Sequence, residues 1–184
     1  MRYKILVLIF ISNMSGIFSQ IPGLDLLNGK KSERIKFQYV QGFILIDVKY
    51  GNIFPLKMIF DTGAQNTILF DELTASLSPL NYDREIQIAG ANLNLQITAR
   101  IGRGAKFKIQ ELPSVKRDII VLMENFMNVE EIIGQEVHGI LGSDFFKGLI
   151  VEINFKKGYL NIYDPKHFNY GKLKDYEKLD VYYS

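Results

Sequence analysis

Two β-rich runs around a Gly/Asn pair constrain this chain more than any other feature. Phe43-Ile44-Leu45-Ile46-Asp47-Val48-Lys49-Tyr50 is followed by Gly51-Asn52 and then by Phe54-Pro55-Leu56-Lys57-Met58-Ile59-Phe60. Such a pattern specifies a β-hairpin. Ile44, Ile46 and Val48 alternate onto one face, and Pro55, which has no N–H for a ladder, belongs at a strand start or an edge. The second run ends in three apolar residues and passes directly into Asp61-Thr62-Gly63-Ala64. An aspartate at the end of a buried strand is costly unless it is hydrogen-bonded or serves chemistry. Gly63 permits a tight turn and a close backbone approach, and Thr62 brings a hydroxyl that can lock the turn.

The same periodicity predicts further strands at Glu85 to Ala89, Leu93 to Ile101, Ala105 to Gln110, Arg117 to Leu122, Leu149 to Phe155 and Gly158 to Tyr163. Gly90-Ala91-Asn92 and Gly102-Arg103-Gly104 read as turns between them, and Lys156-Lys157-Gly158 joins the last two. Helical stretches are short: Asp71 to Leu77, Glu124 to Ile133 and Ser143 to Phe146. Ser143 and Asp144 read as helix-capping residues. Many short strands with turn signals predict a mainly β barrel or sandwich.

The chain opens differently. Arg2 and Lys4 precede the uncharged run Ile5 to Ile11, and small and polar residues lead to Ser19-Gln20. That order predicts a secretory signal peptide over 1–19, hence an exported protein, periplasmic or extracellular. The run falls short of the ~20 residues of a membrane span, so no stable span is expected after its removal. An uncleaved anchor is the alternative. The expected organisation continues with a leader over 20–34, a domain over 35–165 and a tail over 166–184, whose tyrosines pack on a neighbouring strand. Removing Arg2 and Lys4 from the 22 basic residues leaves 20 against 20 acidic ones, which gives no support to binding of nucleic acid or another polyanion.

The absence of cysteine excludes disulfides and thiolate metal sites. Two histidines, His138 and His167, leave little for imidazole-based metal chemistry and read as surface or supporting residues. The segment Gly102-Arg103-Gly104-Ala105-Lys106 lacks the Gly-Lys-Ser/Thr ending of a phosphate loop. No metal or other cofactor is expected.

Asp61-Thr62-Gly63-Ala64 after an apolar strand resembles the active-site signature of the retropepsin-like aspartic proteases. Downstream, Ile140-Leu141-Gly142 before Ser143-Asp144-Phe145-Phe146 resembles that family's pair of hydrophobic residues and glycine leading into a short helix. The order of segments is similar over about residues 36 to 163. The resemblance implies a single-lobed acid-protease fold, a mainly β closed barrel with short helices. It also implies Asp61 as the catalytic carboxylate, with Thr62, Gly63, Ala64, Ile140, Leu141 and Gly142 supporting it. A flap hairpin would close over the substrate, and its candidate tip is Ala89-Gly90-Ala91, with Gly102-Arg103-Gly104 a lower-ranked alternative.

Asp61 is the only aspartate followed by Thr-Gly or Ser-Gly. The mechanism implied by the resemblance needs two carboxylates, so Asp61 is expected to meet its twin across the twofold axis of a homodimer. The expected activity is endopeptidase cleavage of a peptide or protein substrate. The alternatives are a peptide-binding or assembly module on the same fold, without hydrolysis, and an enzyme whose activity is regulated by assembly.

Overall fold

The computed structural model describes residues 23–89, 96–124, 129–173 and 177. The elements in chain order are α1 (Leu24–Leu27), β1 (Ser32–Lys36), β2 (Gln38–Val40), β3 (Phe43–Tyr50), β4 (Phe54–Phe60), β5 (Ile68–Leu69), α2 (Glu72–Ser76) and β6 (Asn81–Ala89). They continue with β7 (Gln96–Ile109), β8 (Ser114–Leu122), α3 (Val129–Ile133), β9 (Gly139–Leu141), α4 (Ser143–Phe146), β10 (Ile150–Asn154) and β11 (Tyr159–Tyr163). Two 3-10 turns follow, Pro165–His167 and Tyr170–Leu173.

The expected hairpin around Gly51-Asn52 is β3 and β4, paired from Tyr50 opposite Phe54 to Leu45 opposite Ile59. Period-two alternation sorts its side chains between two cores. Ile44, Ile46, Val48, Leu56, Met58 and Phe60 enter the larger one, and Leu45 and Ile59 the smaller. Pro55 is exposed and stands where the three-residue β9 does not reach, so no partner on that side needs its missing N–H.

Ring closure follows from the pairings. β3 pairs with β4, β4 with β9, β9 with β5, β5 with β8, β8 with β7, and β7 returns to β3 at Val48 to Tyr50. β2 extends this circuit beyond β3, and β6 extends it beyond β7. A separate sheet, in the order β1-β11-β10, covers one side. The fold is the mainly β, single-lobed barrel with short helices that the sequence leads one to expect.

The larger core holds a chain of rings. Tyr50 meets Phe107 at 5.3 Å, Phe107 meets Phe145 at 5.9 Å, Phe145 meets Phe146 at 5.5 Å, and Phe146 meets Phe60 at 5.2 Å. Each such buried ring contributes about 1.5–3 kcal/mol, so the residue before Asp61 is anchored in the larger core. Tyr50 donates its hydroxyl to the carbonyl of Ala75 at 3.0 Å, and burial, with Tyr82 nearby, pushes that phenol up to about 12.

Several expectations change. Gly102-Arg103-Gly104 is no turn. It lies inside the single long strand β7, at a register shift against β8 between Gly102 and Ala105. Arg103 binds Asp83 and Asp118 there, and Gly104 donates its N–H to Asp118 at 3.0 Å. The glycines accommodate a bulge rather than a reversal. The strands expected at Leu93 to Ile101 and Ala105 to Gln110 are therefore one element. In the segment expected as a leader, Leu26 and Leu27 are buried in the larger core, and β1 pairs with β11. The helix expected from Glu124 is seen as α3, with residues 125–128 outside the described residues.

Toward the end of the chain, Tyr163, Phe168 and Tyr170 stack edge to face at 5.0 and 5.1 Å. Tyr176, Tyr182 and Tyr183 lie outside the described residues, as does the expected signal peptide. Among the described residues no helix is long and apolar enough to cross a membrane.

Candidate active site

Strand β4 delivers Asp61 to the surface. Met58 and Phe60 point into the larger core and Ile59 into the smaller, after which Asp61, Thr62 and Gly63 are exposed. The carboxylate of Asp61 accepts the N–H of Gly63 at 2.8 Å. An aspartate that bonds the backbone two residues on closes a tight turn on itself.

The turn is also held from behind. β9 is inserted between β4 and β5, parallel to the first and antiparallel to the second. The segment 61–67 must therefore arch over the C-terminal end of β9 to reach β5. Along this arch Asp61 donates its N–H to the carbonyl of Leu141 at 3.1 Å. Ser143 donates to the carbonyl of Ala64 at 2.8 Å, and Asp144 to that of Gln65 at 3.3 Å.

The crossing explains the glycines. A Cβ on Gly139 would stand 2.1 Å from the carbonyl oxygen of Ile68, and one on Gly142 would stand 2.5 Å from the backbone of Asn66. Neither backbone can give way without losing the pairing around it, so both positions require hydrogen as the side chain. At the other end of β9, His138 and Lys57 exchange two bonds. The His138 N–H reaches the carbonyl of Lys57 at 2.9 Å, and the Lys57 N–H reaches Nδ1 of His138 at 3.2 Å. His138 thus extends the β4–β9 ladder with its ring.

The structure brings together Asp61, Thr62, Gly63, Ala64, Ile140, Leu141 and Gly142. Ile140 and Leu141 are buried, Ile140 in the smaller core against which Ala64 and Ile68 pack. Of the expected flap, Ala89 ends β6 opposite Gln96 of β7, while Gly90 and Ala91 lie outside the described residues. The alternative tip at Gly102-Arg103-Gly104 is excluded by its place within β7.

Two residues matter to this geometry in ways the sequence does not show, Thr67 and, beyond its reading as a cap, Asp144. Thr67 has no exposed surface, and its hydroxyl accepts the N–H of Gly142 at 3.3 Å. Asp144 accepts the hydroxyl of Thr67 at 3.0 Å, whereas the cap position of α4 is Gly142, without a side-chain cap. Burial pushes the Asp144 carboxyl up, against the opposing pull of the Thr67 hydroxyl, backbone N–H groups and Arg117. A serine and an aspartate at the start of a short helix are legible as caps. A contact with a threonine 77 positions earlier is not.

The aspartyl protease family model matches residues 46–145, more than half of the chain and the stretch that holds the Asp61 turn and the hydrophobic pair and glycine behind it. The chain belongs to the aspartyl protease family. Among solved structures, this family member is similar to a retropepsin-like aspartic protease from Rickettsia conorii. The two are 19% identical with a TM-score of 0.42, covering 71% of this chain and 89% of that one. It is also similar to EIAV protease complexed with the inhibitor HBY-793, at 19% identity and a TM-score of 0.34, covering 54% of this chain and 81% of that one. No curated protein matches it.

Proposed function

We propose that this aspartyl protease family member is an exported aspartic endopeptidase that works as a homodimer, with the two Asp61 carboxylates facing each other across the twofold axis. The observation that carries this reading is the Asp61 turn itself. It displays one exposed carboxylate, braced by the N–H of Gly63 and by the Asp61 N–H on the carbonyl of Leu141. The chain holds no second Asp-Thr-Gly or Asp-Ser-Gly from which a partner could come.

Two carboxylates brought this close cannot both ionise cheaply, so they share one proton. The ionised partner takes a proton from a water lying between them, and that water attacks the scissile carbonyl. The protonated partner donates a hydrogen bond to the carbonyl oxygen and later helps to protonate the leaving nitrogen. Their titration belongs to the pair. Thr62 would stiffen the pair from its place in the turn, and the β6–β7 hairpin would close over the peptide.

The deciding experiment is cleavage of a diverse peptide library at several pH values by the native protein and by Asp61→Asn, with the oligomeric state measured by sedimentation. Cleavage by the dimer that disappears in the variant supports the proposal. Equal cleavage by both sinks it. Absence of cleavage by a native protein that is monomeric at micromolar concentration favours the binding-module alternative. Export is tested separately, by N-terminal sequencing of the mature chain: a start near Gln20 supports it, and retention of Met1 to Ser19 overturns cleavage of a signal.

A further inference from the structure

Behind the Asp61 turn stands a second carboxylate to which the reaction above gives no role. Asp144, the second residue of α4, is half-buried, and its Oδ1 accepts the hydroxyl of Thr67 at 3.0 Å. A threonine hydroxyl has one proton to give and lone pairs to receive. With the proton committed to Asp144, a lone pair of Thr67 Oγ1 is left for the N–H of Gly142 at 3.3 Å. Asp144 therefore sets the direction of a hydroxyl that has no access to solvent. Its own N–H reaches the carbonyl of Gln65 at 3.3 Å, so one residue grips the arch at both Gln65 and Thr67.

The charged group facing this carboxylate from β8 is Arg117. Its guanidinium is bound by Asp25 at 2.7 Å and lies 4.9 Å from the ring centre of Phe145. A partly buried carboxylate costs a fold stability unless hydrogen bonds offset its lost hydration, and the Thr67 hydroxyl supplies one. The backbone on the far side of the arch runs back to Asp61 within six residues of Thr67.

We infer that Asp144 is a positioning residue for the Asp61 turn: through the Thr67 hydroxyl it holds residues 64–67 against 142–144 and so sets where the Asp61 carboxylate stands. Its consequence for catalysis rests on the function proposed above, whereas its hold on the turn does not.

The test compares Asp144→Leu, of similar size without an acceptor, with Asp144→Asn, which keeps the acceptor and removes the charge. In the full chain, amide hydrogen exchange is read over 61–67 and 140–144, together with kcat and KM on a peptide the native protein cleaves. The leucine variant speeds exchange at Gly142 and Ser143 by about tenfold or more, leaves the β10–β11 hairpin unchanged, and lowers kcat on the order of 100-fold with KM nearly constant, as a small misplacement of the reacting group does. The asparagine variant returns both readouts to within about threefold of the native protein.

Native-like exchange and kcat in the leucine variant overturn the inference, and so does an asparagine variant no better than leucine. If the leucine variant does not fold, Thr67→Ser and Thr67→Val carry the same comparison. Serine keeps the hydroxyl and should keep protection and kcat, and equal behaviour of the two overturns the inference. Should the native protein cleave no peptide, the proposed function fails, while the exchange rates still decide the positioning.

Discussion

Around Asp61, five hydrogen bonds tie residues 61–67 to residues 141–144, among them the pair made by the fully buried Thr67 hydroxyl. At the root of the β6–β7 hairpin the strands share their own backbone ladder, and the side-chain ties added to it are ion pairs between partly exposed groups. Arg100 reaches Glu72 and Glu85, and Arg103 reaches Asp83 and Asp118. Backbone bonds and a buried hydroxyl persist whatever the ionic strength, whereas exposed ion pairs are weak and screened by salt. The side-chain ties are thus firmer behind the Asp61 turn than at the hairpin, which suits the reacting carboxylate and the flap proposed above.

Four expected outcomes test that contrast. The largest is the loss of activity in Asp61→Asn, on the order of 1,000-fold or more in kcat, measured on a cleaved peptide. The asparagine oxygen still accepts the N–H of Gly63, so the thermal midpoint should hardly change. A large fall in that midpoint would mean that the carboxylate is structural.

Gly142→Ala comes next. The added methyl meets the backbone of Asn66 at 2.5 Å, so overpacking should lower stability by about 3 kcal/mol in urea denaturation. Tolerance of alanine there would show the arch to be looser than its hydrogen bonds imply. Arg100→Gln should cost less than about 1 kcal/mol, with an effect that vanishes in high salt and faster amide exchange confined to β6 and β7. A stability loss as large as that of Gly142→Ala would erase the distinction between the two regions.

The smallest effect is a contrast in pH dependence. For Asp118, burial pulls upward, but the Arg103 hydrogen bond and the Gly104 N–H outweigh it and hold the carboxyl below its ordinary 3.8. Its folded value lies below the unfolded one, so its contribution is present above 3.8 and is lost as pH falls through the folded value. Asp144 runs the other way. Burial raises its folded value above 3.8, so its carboxylate weighs against the fold at neutral pH, and that cost is relieved as pH falls through the raised value toward 3.8. On acidification, amide protection relative to the intrinsic exchange rate at each pH should fall at the bulge of β7 before it does at Gly142. The opposite order would break the contrast.

Much of this was readable in advance where the signal was local. Alternation defined β3 and β4 to the residue, and the Ser143–Phe146 helix was found with its observed limits. The bulge at Gly102 and Gly104 was misread because Gly-Arg-Gly has the composition of a turn. The register shift against β8, and the partners of Arg103 on β6 and β8, lie on strands distant in sequence and leave no local signal.

By itself the sequence determined the alternation of the strands, the apolar approach to Asp61 and the single Asp-Thr-Gly, because each is a matter of neighbouring residues and of side chains repeating every second position. The tertiary structure alone decided that β9 slips between β4 and β5, that Gly139 and Gly142 must lack a Cβ, and that Asp144 reaches Thr67. These depend on the approach of backbones more than seventy residues apart, and no local period records which strand will lie between which others.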